Sequence, residues 1–102
     1  MPDAIIWEFD GVDRGDYDAV NEQLGIDPDN GGSSSWPEGL IFHVGAEKPG
    51  GLVVFELWES RAAQERFLSE RLKPALEAAG VTTPPTRVEW LEVAAHASPA
   101  SA

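Results

Sequence analysis

The sequence predicts an α+β domain, a four-stranded antiparallel sheet with two helices packed on one face. Three observations carry this expectation. Over 102 residues the segments order as strand, helix, strand, strand, helix, strand. Gly51–Trp58 (GLVVFELW) runs straight into Glu59-Ser60 and a long amphipathic helix, so a strand and a helix join almost without a loop. The second and third strands flank Glu47-Lys48-Pro49-Gly50, turn chemistry that folds them into a hairpin. Right-handed crossovers turn this order into a ferredoxin-like β-α-β-β-α-β sandwich. One sheet face then has no helices and must meet solvent or a partner.

Each element has its own warrant. Ala4–Asp10 (AIIWEFD) is β-branched and aromatic, stops at Gly11, and reads as the first strand. Asp13–Leu24 places Tyr17, Val20 and Leu24 on one helical stripe, with Asp13 or Asp16 as N-cap and Gly25 as stop. Ile26–Pro37 (IDPDNGGSSSWP) is a loop, long enough for a mobile segment or lid. Glu38–Ala46 is the second strand and Gly51–Trp58 the third. Ser60 caps a helix whose Ala63, Phe67, Leu68, Leu72, Leu76 and Ala79 fall near one face. Pro74 lacks a backbone donor and should kink or split that helix near Lys73. Gly80 ends it, and Pro84-Pro85 forbids its return. Thr86–Ala94 is the last strand. Residues 1–94 read as one domain and 95–102 (HASPASA with its preceding alanine) as a flexible tail.

Composition excludes several function classes. There is no cysteine, hence no disulfide, thiolate nucleophile or cysteine metal site. The formal charge of −11 repels nucleic acid and anionic membrane. Its plain consequence is solubility; steering of a cationic ligand is the alternative. No apolar run approaches the roughly 20 residues of a membrane helix. The N-terminus has no basic segment followed by an apolar run, so no signal peptide is expected and a cytoplasmic location is the default.

Alternation along the strands sorts the side chains into faces. Leu40, Phe42 and Val44 share one side of the second strand, with Ile41, His43 and Gly45 on the other. On the third strand Val53, Phe55 and Leu57 share a side, as do Val54, Glu56 and Trp58. A four-residue turn at Glu47–Gly50 would pair Phe42 with Phe55 and His43 with Val54. One face is then wholly apolar and the other mixed. Neither reads as freely solvated, and two helices cover only one, so a homodimer is expected. The mixed face can gather Glu8, His43, Glu56 and Trp58 around one cavity. Carboxylates in an apolar site hold protons more tightly, and a carboxylate orients a neighbouring histidine. That set suits general acid–base work on a flat, partly apolar ligand. The plain alternative is that His43 and Glu56 satisfy each other.

Other candidates are weaker. Trp36 can close over a ligand or anchor its loop, and Tyr17 is either core edge or a ligand contact. Asp27, Asp29, Gly32 and Glu38 match the first, third, sixth and twelfth positions of a calcium loop. Gly31 stands where a ligand belongs, Ser34 where an apolar residue belongs, and a strand follows instead of a helix. His43 and His96 lie too far apart for a metal site, so no metal is expected. Arg61, Arg66 and Arg71 with Glu65 and Glu70 read as a charge-paired, solvated helix face. There is no nucleophile elbow, phosphate loop or dinucleotide fingerprint.

Val53-Val54-Phe55-Glu56-Leu57-Trp58-Glu59-Ser60, with Phe67 and Leu72-Lys73-Pro74-Ala75-Leu76, resembles the dimeric α/β-barrel superfamily. Within it, the chain is most similar to small antibiotic-biosynthesis-monooxygenase-like proteins. The resemblance implies a homodimer with a pocket between sheet and helices in each subunit, the apolar face meeting the partner and the mixed face lining the pocket. Such relatives include oxygenases of polyphenolic substrates that use no cofactor, haem-degrading enzymes and isomerases. The haem-degrading kind combines a strand-one Asn, a Trp after strand three and a helix-two His. Here Trp58 matches in kind, but strand one offers Glu8 and helix two has no histidine, which turns the reading away from haem.

Three functions stay open. The first is a monooxygenase-like enzyme acting on an aromatic or polyketide-like molecule without metal or flavin, with Glu8 or Glu56 as base, His43 as its partner, and Trp58, Trp36 and Tyr17 against the substrate. The second is a non-catalytic dimer that binds a small molecule or a protein. The third is a structural dimer with a filled interior.

Overall fold

The computed structural model describes residues 2–26 and 36–97. Most of the predicted lid loop, most of the calcium-loop pattern (Asp27, Asp29, Gly31, Gly32, Ser34) and the end of the predicted tail lie outside the described residues. The elements follow the expected order: β1 (Asp3–Asp10), α1 (Arg14–Leu24), β2 (Leu40–Lys48), β3 (Gly51–Trp58), α2 (Arg61–Phe67), a π-helical turn (Leu68–Leu72), α3 (Lys73–Ala78) and β4 (Arg87–Glu92). The strands form one antiparallel sheet in the order β2-β3-β1-β4. β1 and β3 are central, whereas β2 and β4 are edges.

Local chemistry sets the helix ends. Asp13 and Asp16 form a reciprocal capping box: the Asp16 N–H donates to Asp13 Oδ1 at 2.9 Å and the Asp13 N–H to Asp16 Oδ2 at 3.1 Å. Gly25 closes α1 with its N–H on the Asn21 and Glu22 carbonyls. Ser60 caps α2 by accepting the Ala63 N–H at 3.1 Å. The split near Lys73 takes a specific form. Pro74 has no N–H and its ring crowds the carbonyl four residues back. The turn before it widens, so that the Lys73 N–H reaches the Leu68 carbonyl five residues earlier. Of the predicted charge-paired face, Arg61 pairs with Glu65 at 3.0 Å. Arg71 donates to the Leu24 carbonyl and lies over the Phe67 ring, tying the second helix to the end of α1.

The hairpin corrects the expected register. Glu47 and Lys48 belong to β2, and the turn is Pro49-Gly50 alone, with Gly50 at φ +75°. Proline followed by a residue of positive φ is the sequence a type II turn needs. Lys48 therefore pairs with Gly51, Val44 with Phe55 and Phe42 with Leu57. The shift is two residues, an even number, so the faces survive. It also brings His43 opposite Glu56 rather than Val54. A bulge between Leu40 and Phe42 makes a second correction. It turns Leu40 onto the opposite face, where Leu40 pairs with Trp58 and packs on the core.

The helices cover the mixed face. Ile5, Trp58 and Phe67 form the buried nucleus, with Trp7, Leu24, Leu40, Ala63, Leu72 and Trp90 packed around it. The far face carries Ile6, Phe42, Val44, Val53, Phe55 and Leu91, in register across the sheet. Phe42 is 49% exposed there, and Val44 and Leu91 are also open.

A candidate acid–base site beneath the first helix

The strand pairing places His43 on edge strand β2 directly beside Glu56 on central strand β3. His43 Nδ1 lies 2.8 Å from Glu56 Oε2. The other carboxylate oxygen of Glu56 accepts the Trp58 indole N–H at 3.2 Å. Above the strands, α1 brings Tyr17 down so that its hydroxyl lies 2.6 Å from His43 Nε2. Four side chains thus form one continuous line, Tyr17–His43–Glu56–Trp58. With Glu56 ionised, His43 Nδ1 carries the proton and donates to it; Nε2 then has a lone pair and accepts from the Tyr17 O–H. A proton leaving Tyr17 would produce an imidazolium held by Glu56.

Gly45 makes the approach of Tyr17 possible. It sits two residues beyond His43 on the same face of β2. A Cβ built there would lie 2.6 Å from the Tyr17 ring. Only a residue without a side chain lets α1 settle this close to the strand. Burial pushes the Tyr17 hydroxyl above its ordinary 10.0, and the nearby Glu56 charge adds to the rise. The Asn21 amide, one helical turn further on, pulls the other way. Tyr17 therefore rests as the neutral phenol at physiological pH, a proton donor to His43 and not a phenolate base.

The line borders a cavity of about 350 Å³ between sheet and helices. Trp7 and Phe9 from β1, Tyr17 and Asn21 from α1, and His43 and Glu56 from the hairpin are among its walls. Trp7 and Phe9 stack with ring centres 6.2 Å apart. A second, wider groove of about 760 Å³ runs along β2 and shares Tyr17, Trp36 and His43 with the first. Trp36 stands at this junction, its ring 5.2 Å from that of His43.

Five of the six residues singled out from the sequence cluster here, in differing positions. His43, Glu56, Tyr17 and Trp36 border the cavity. Trp58 does not: it is fully buried against Phe67 and touches the line from behind, through Glu56. Glu8 is elsewhere. Strand alternation places it on the far face with Ile6, opposite Val53 and Arg87, and its carboxylate lies 3.9 Å from Arg87. Its neighbour Trp7 faces the cavity instead. Sequence reasoning missed Asn21, whose spacing of four from Tyr17 puts both on one helix face. It also missed the Tyr17–His43 bond, for which a glycine inside an apolar strand is the available signal. Among the described residues no group of three or more His, Cys, Asp or Glu side chains is arranged to hold a metal ion.

Neither a protein-family model nor a curated protein sequence matches the chain. Solved structures do. The fold is that of Rv0793 from Mycobacterium tuberculosis (TM-score 0.61, 22% identity, 96% of this chain and 100% of that one). A Chloroflexus aurantiacus protein provisionally assigned as an antibiotic biosynthesis monooxygenase superposes with TM-score 0.63 at 19% identity, covering 95% of this chain and 98% of that one. SnoaB, a cofactor-independent oxygenase from Streptomyces nogalater, gives TM-score 0.63 at 10% identity over 93% and 95% of the two chains. The expected fold, that of the antibiotic-biosynthesis-monooxygenase-like α/β proteins, is thus the fold observed.

Proposed function

We propose that this protein is a small homodimeric enzyme that removes a proton from an aromatic or polyketide-like substrate and lets the resulting carbanion react with oxygen, without metal or flavin. The observation that carries this reading is the Tyr17–His43–Glu56 line on the wall of an apolar cavity. A base needs an oriented nitrogen and a stabiliser for the charge it acquires. His43 Nε2 is that nitrogen and Glu56 the stabiliser; Tyr17 either relays the substrate proton to His43 or yields its place to the substrate. Glu56 takes the stabilising role, and Glu8 has no part. The cavity walls supply the low-polarity setting in which a carbanion is formed away from water. In balanced form, a CH₂ group flanked by aromatic carbonyl chemistry loses a proton, and the carbanion reduces O₂ and forms a C–O bond. The hydroperoxide then loses water: CH₂ plus O₂ gives C=O plus H₂O. Likeness to SnoaB supports the reaction class only through the shared fold.

Oxygen uptake with a panel of polyphenols tests this. Turnover that falls at least about 100-fold in His43→Ala and in Glu56→Gln is the expected result for an acid–base pair. Unaltered turnover in both variants would sink the assignment.

A second reading has its own support. The hydrogen bonds that build the line also satisfy its buried groups, and the His43 and Glu56 side chains are only 13% and 11% exposed. A binding protein that holds a small molecule unchanged needs no more than this. Retention of a ligand with no new product by mass spectrometry favours that reading.

A further inference from the structure

The Tyr17–His43–Glu56 line has a second chemical meaning. Covalent catalysis by a side chain needs three groups in series. They are a hydroxyl or thiol, a base within hydrogen-bond reach of it, and a third group that orients the base. The line meets each requirement. The Tyr17 hydroxyl lies 2.6 Å from His43 Nε2, and His43 Nδ1 lies 2.8 Å from Glu56 Oε2. Trp58 Nε1 donates to the other Glu56 oxygen at 3.2 Å and holds the carboxylate from behind. The order is that of a Ser-His-Asp triad, with a phenol in the place of the serine. Tyr17 and His43 each border both the inner cavity and the groove along β2, so space for a reactant adjoins the pair on two sides.

We propose that Tyr17 is a nucleophile, and that this site transfers and hydrolyses the acyl group of neutral aryl esters. His43 Nε2 takes the Tyr17 proton as the phenol oxygen attacks the ester carbonyl carbon. The bond that forms joins Tyr17 Oη to that carbon. The bond that breaks is the one from the carbon to the aryl oxygen, which leaves with the proton from His43. Water then attacks the acyl-tyrosine; His43 takes its proton and returns it to Tyr17. The sum is ester plus water to carboxylic acid plus phenol, with no change of oxidation state. The surroundings set the substrate class. Burial raises the Tyr17 pKa against the pull of the Asn21 hydrogen bond, so an acyl group passes downhill to Tyr17 from a more acidic phenol. Trp7 and Phe9 on the cavity wall suit a flat apolar group. The net charge of −11 disfavours an anionic ester and favours departure of the carboxylate product. This activity shares His43 and Glu56 with the proposed oxygenation but uses no oxygen. An anaerobic assay reads it alone, so either reading can fail while the other stands.

The probes are 4-nitrophenyl acetate and 1-naphthyl acetate, under argon. The wild type is expected to release the phenol in a burst of about one equivalent per chain and more slowly afterwards, the mark of an accumulating acyl-enzyme. Tyr17 is the only tyrosine, so fragment mass spectra that place an acetyl group on tyrosine identify the residue. Tyr17→Phe keeps the ring and loses the oxygen; the burst and the tyrosine adduct should both vanish. His43→Ala and Glu56→Gln should slow acetylation of Tyr17 by about 100-fold. Wild-type acetylation confined to Lys48, Lys73 and the N-terminus overturns the proposal, and that result does not depend on how any variant folds. A burst that survives Tyr17→Phe overturns it too. So does faster ester cleavage in Tyr17→Phe, which would make the bared His43 nitrogen the nucleophile.

Discussion

Tyr17 is the only tyrosine in the chain, so its titration can be read directly from phenolate absorbance. Burial first, and the Glu56 charge as well, raise it above 10.0. The wild-type titration should therefore lie above that of a free tyrosine, and Glu56→Gln should bring it down. No change in Glu56→Gln would separate Tyr17 from the line. The same shift fixes a stability trend. A group whose folded pKa is raised favours the fold below its unfolded value, and that contribution is lost as pH climbs through the folded value. Tm should thus fall above about pH 10 more steeply in the wild type than in Tyr17→Phe. Glu56 carries more of the static load. Glu56→Leu strands the His43 Nδ1 and Trp58 Nε1 donors, and a loss of about 1–3 kcal/mol in denaturant unfolding is expected for each group left buried and unsatisfied. At this scale the sequence was only partly legible. The shared face of His43 and Glu56 followed from strand alternation. The Tyr17 contact did not, because it joins residues 26 positions apart through helix packing. Glu8 faces away from the line, as alternation with Trp7 along β1 requires, so a carboxylate's acidity alone does not mark a site residue.

At the scale of elements, the contact between α1 and β2 is decided by Gly45. A methyl group there meets the Tyr17 ring at 2.6 Å, well inside van der Waals contact. Gly45→Ala should force α1 away from the strand, at about 1–3 kcal/mol for overpacking, and lengthen the Tyr17–His43 bond. A double-mutant cycle isolates the cause. In a Tyr17→Ala background Gly45→Ala should be nearly neutral or stabilising, since the blocking ring is gone and alanine suits a strand better than glycine. Equal costs in both backgrounds would refute the contact. Element order, Gly51–Trp58, the Ser60 cap and the Pro74 break were all legible, because each depends on neighbours in sequence. The hairpin register was not. Glu47 and Lys48 are polar and sit beside Pro49-Gly50, so they resemble turn residues, but pairing continues through them. The bulge that reverses Leu40 also escapes alternation, since a bulge suspends the two-residue period.

The whole molecule raises the question of its uncovered face. Phe42, Val44 and Leu91 stand open on the side away from the helices, beside Ile6 and Phe55. A contiguous apolar surface on a small domain marks an interface more often than a solvated wall. Two copies packed face to face would bury it on both sides, as a standard interface of about 800 Å² per partner requires. Sedimentation at micromolar concentration is expected to give twice the 11.0 kDa of one chain. Val44→Lys, on edge strand β2 within the patch and on the face opposite the Tyr17–His43–Glu56 line, should shift the boundary toward the monomer. A wild type that sediments only as a monomer removes the dimer from the proposed function. The acid–base line lies within one chain and on the opposite face. A monomeric Val44→Lys protein should therefore keep the raised Tyr17 titration. If dissociation lowers that titration to the ordinary value, the two faces are coupled, and the site depends on the partner as much as on α1.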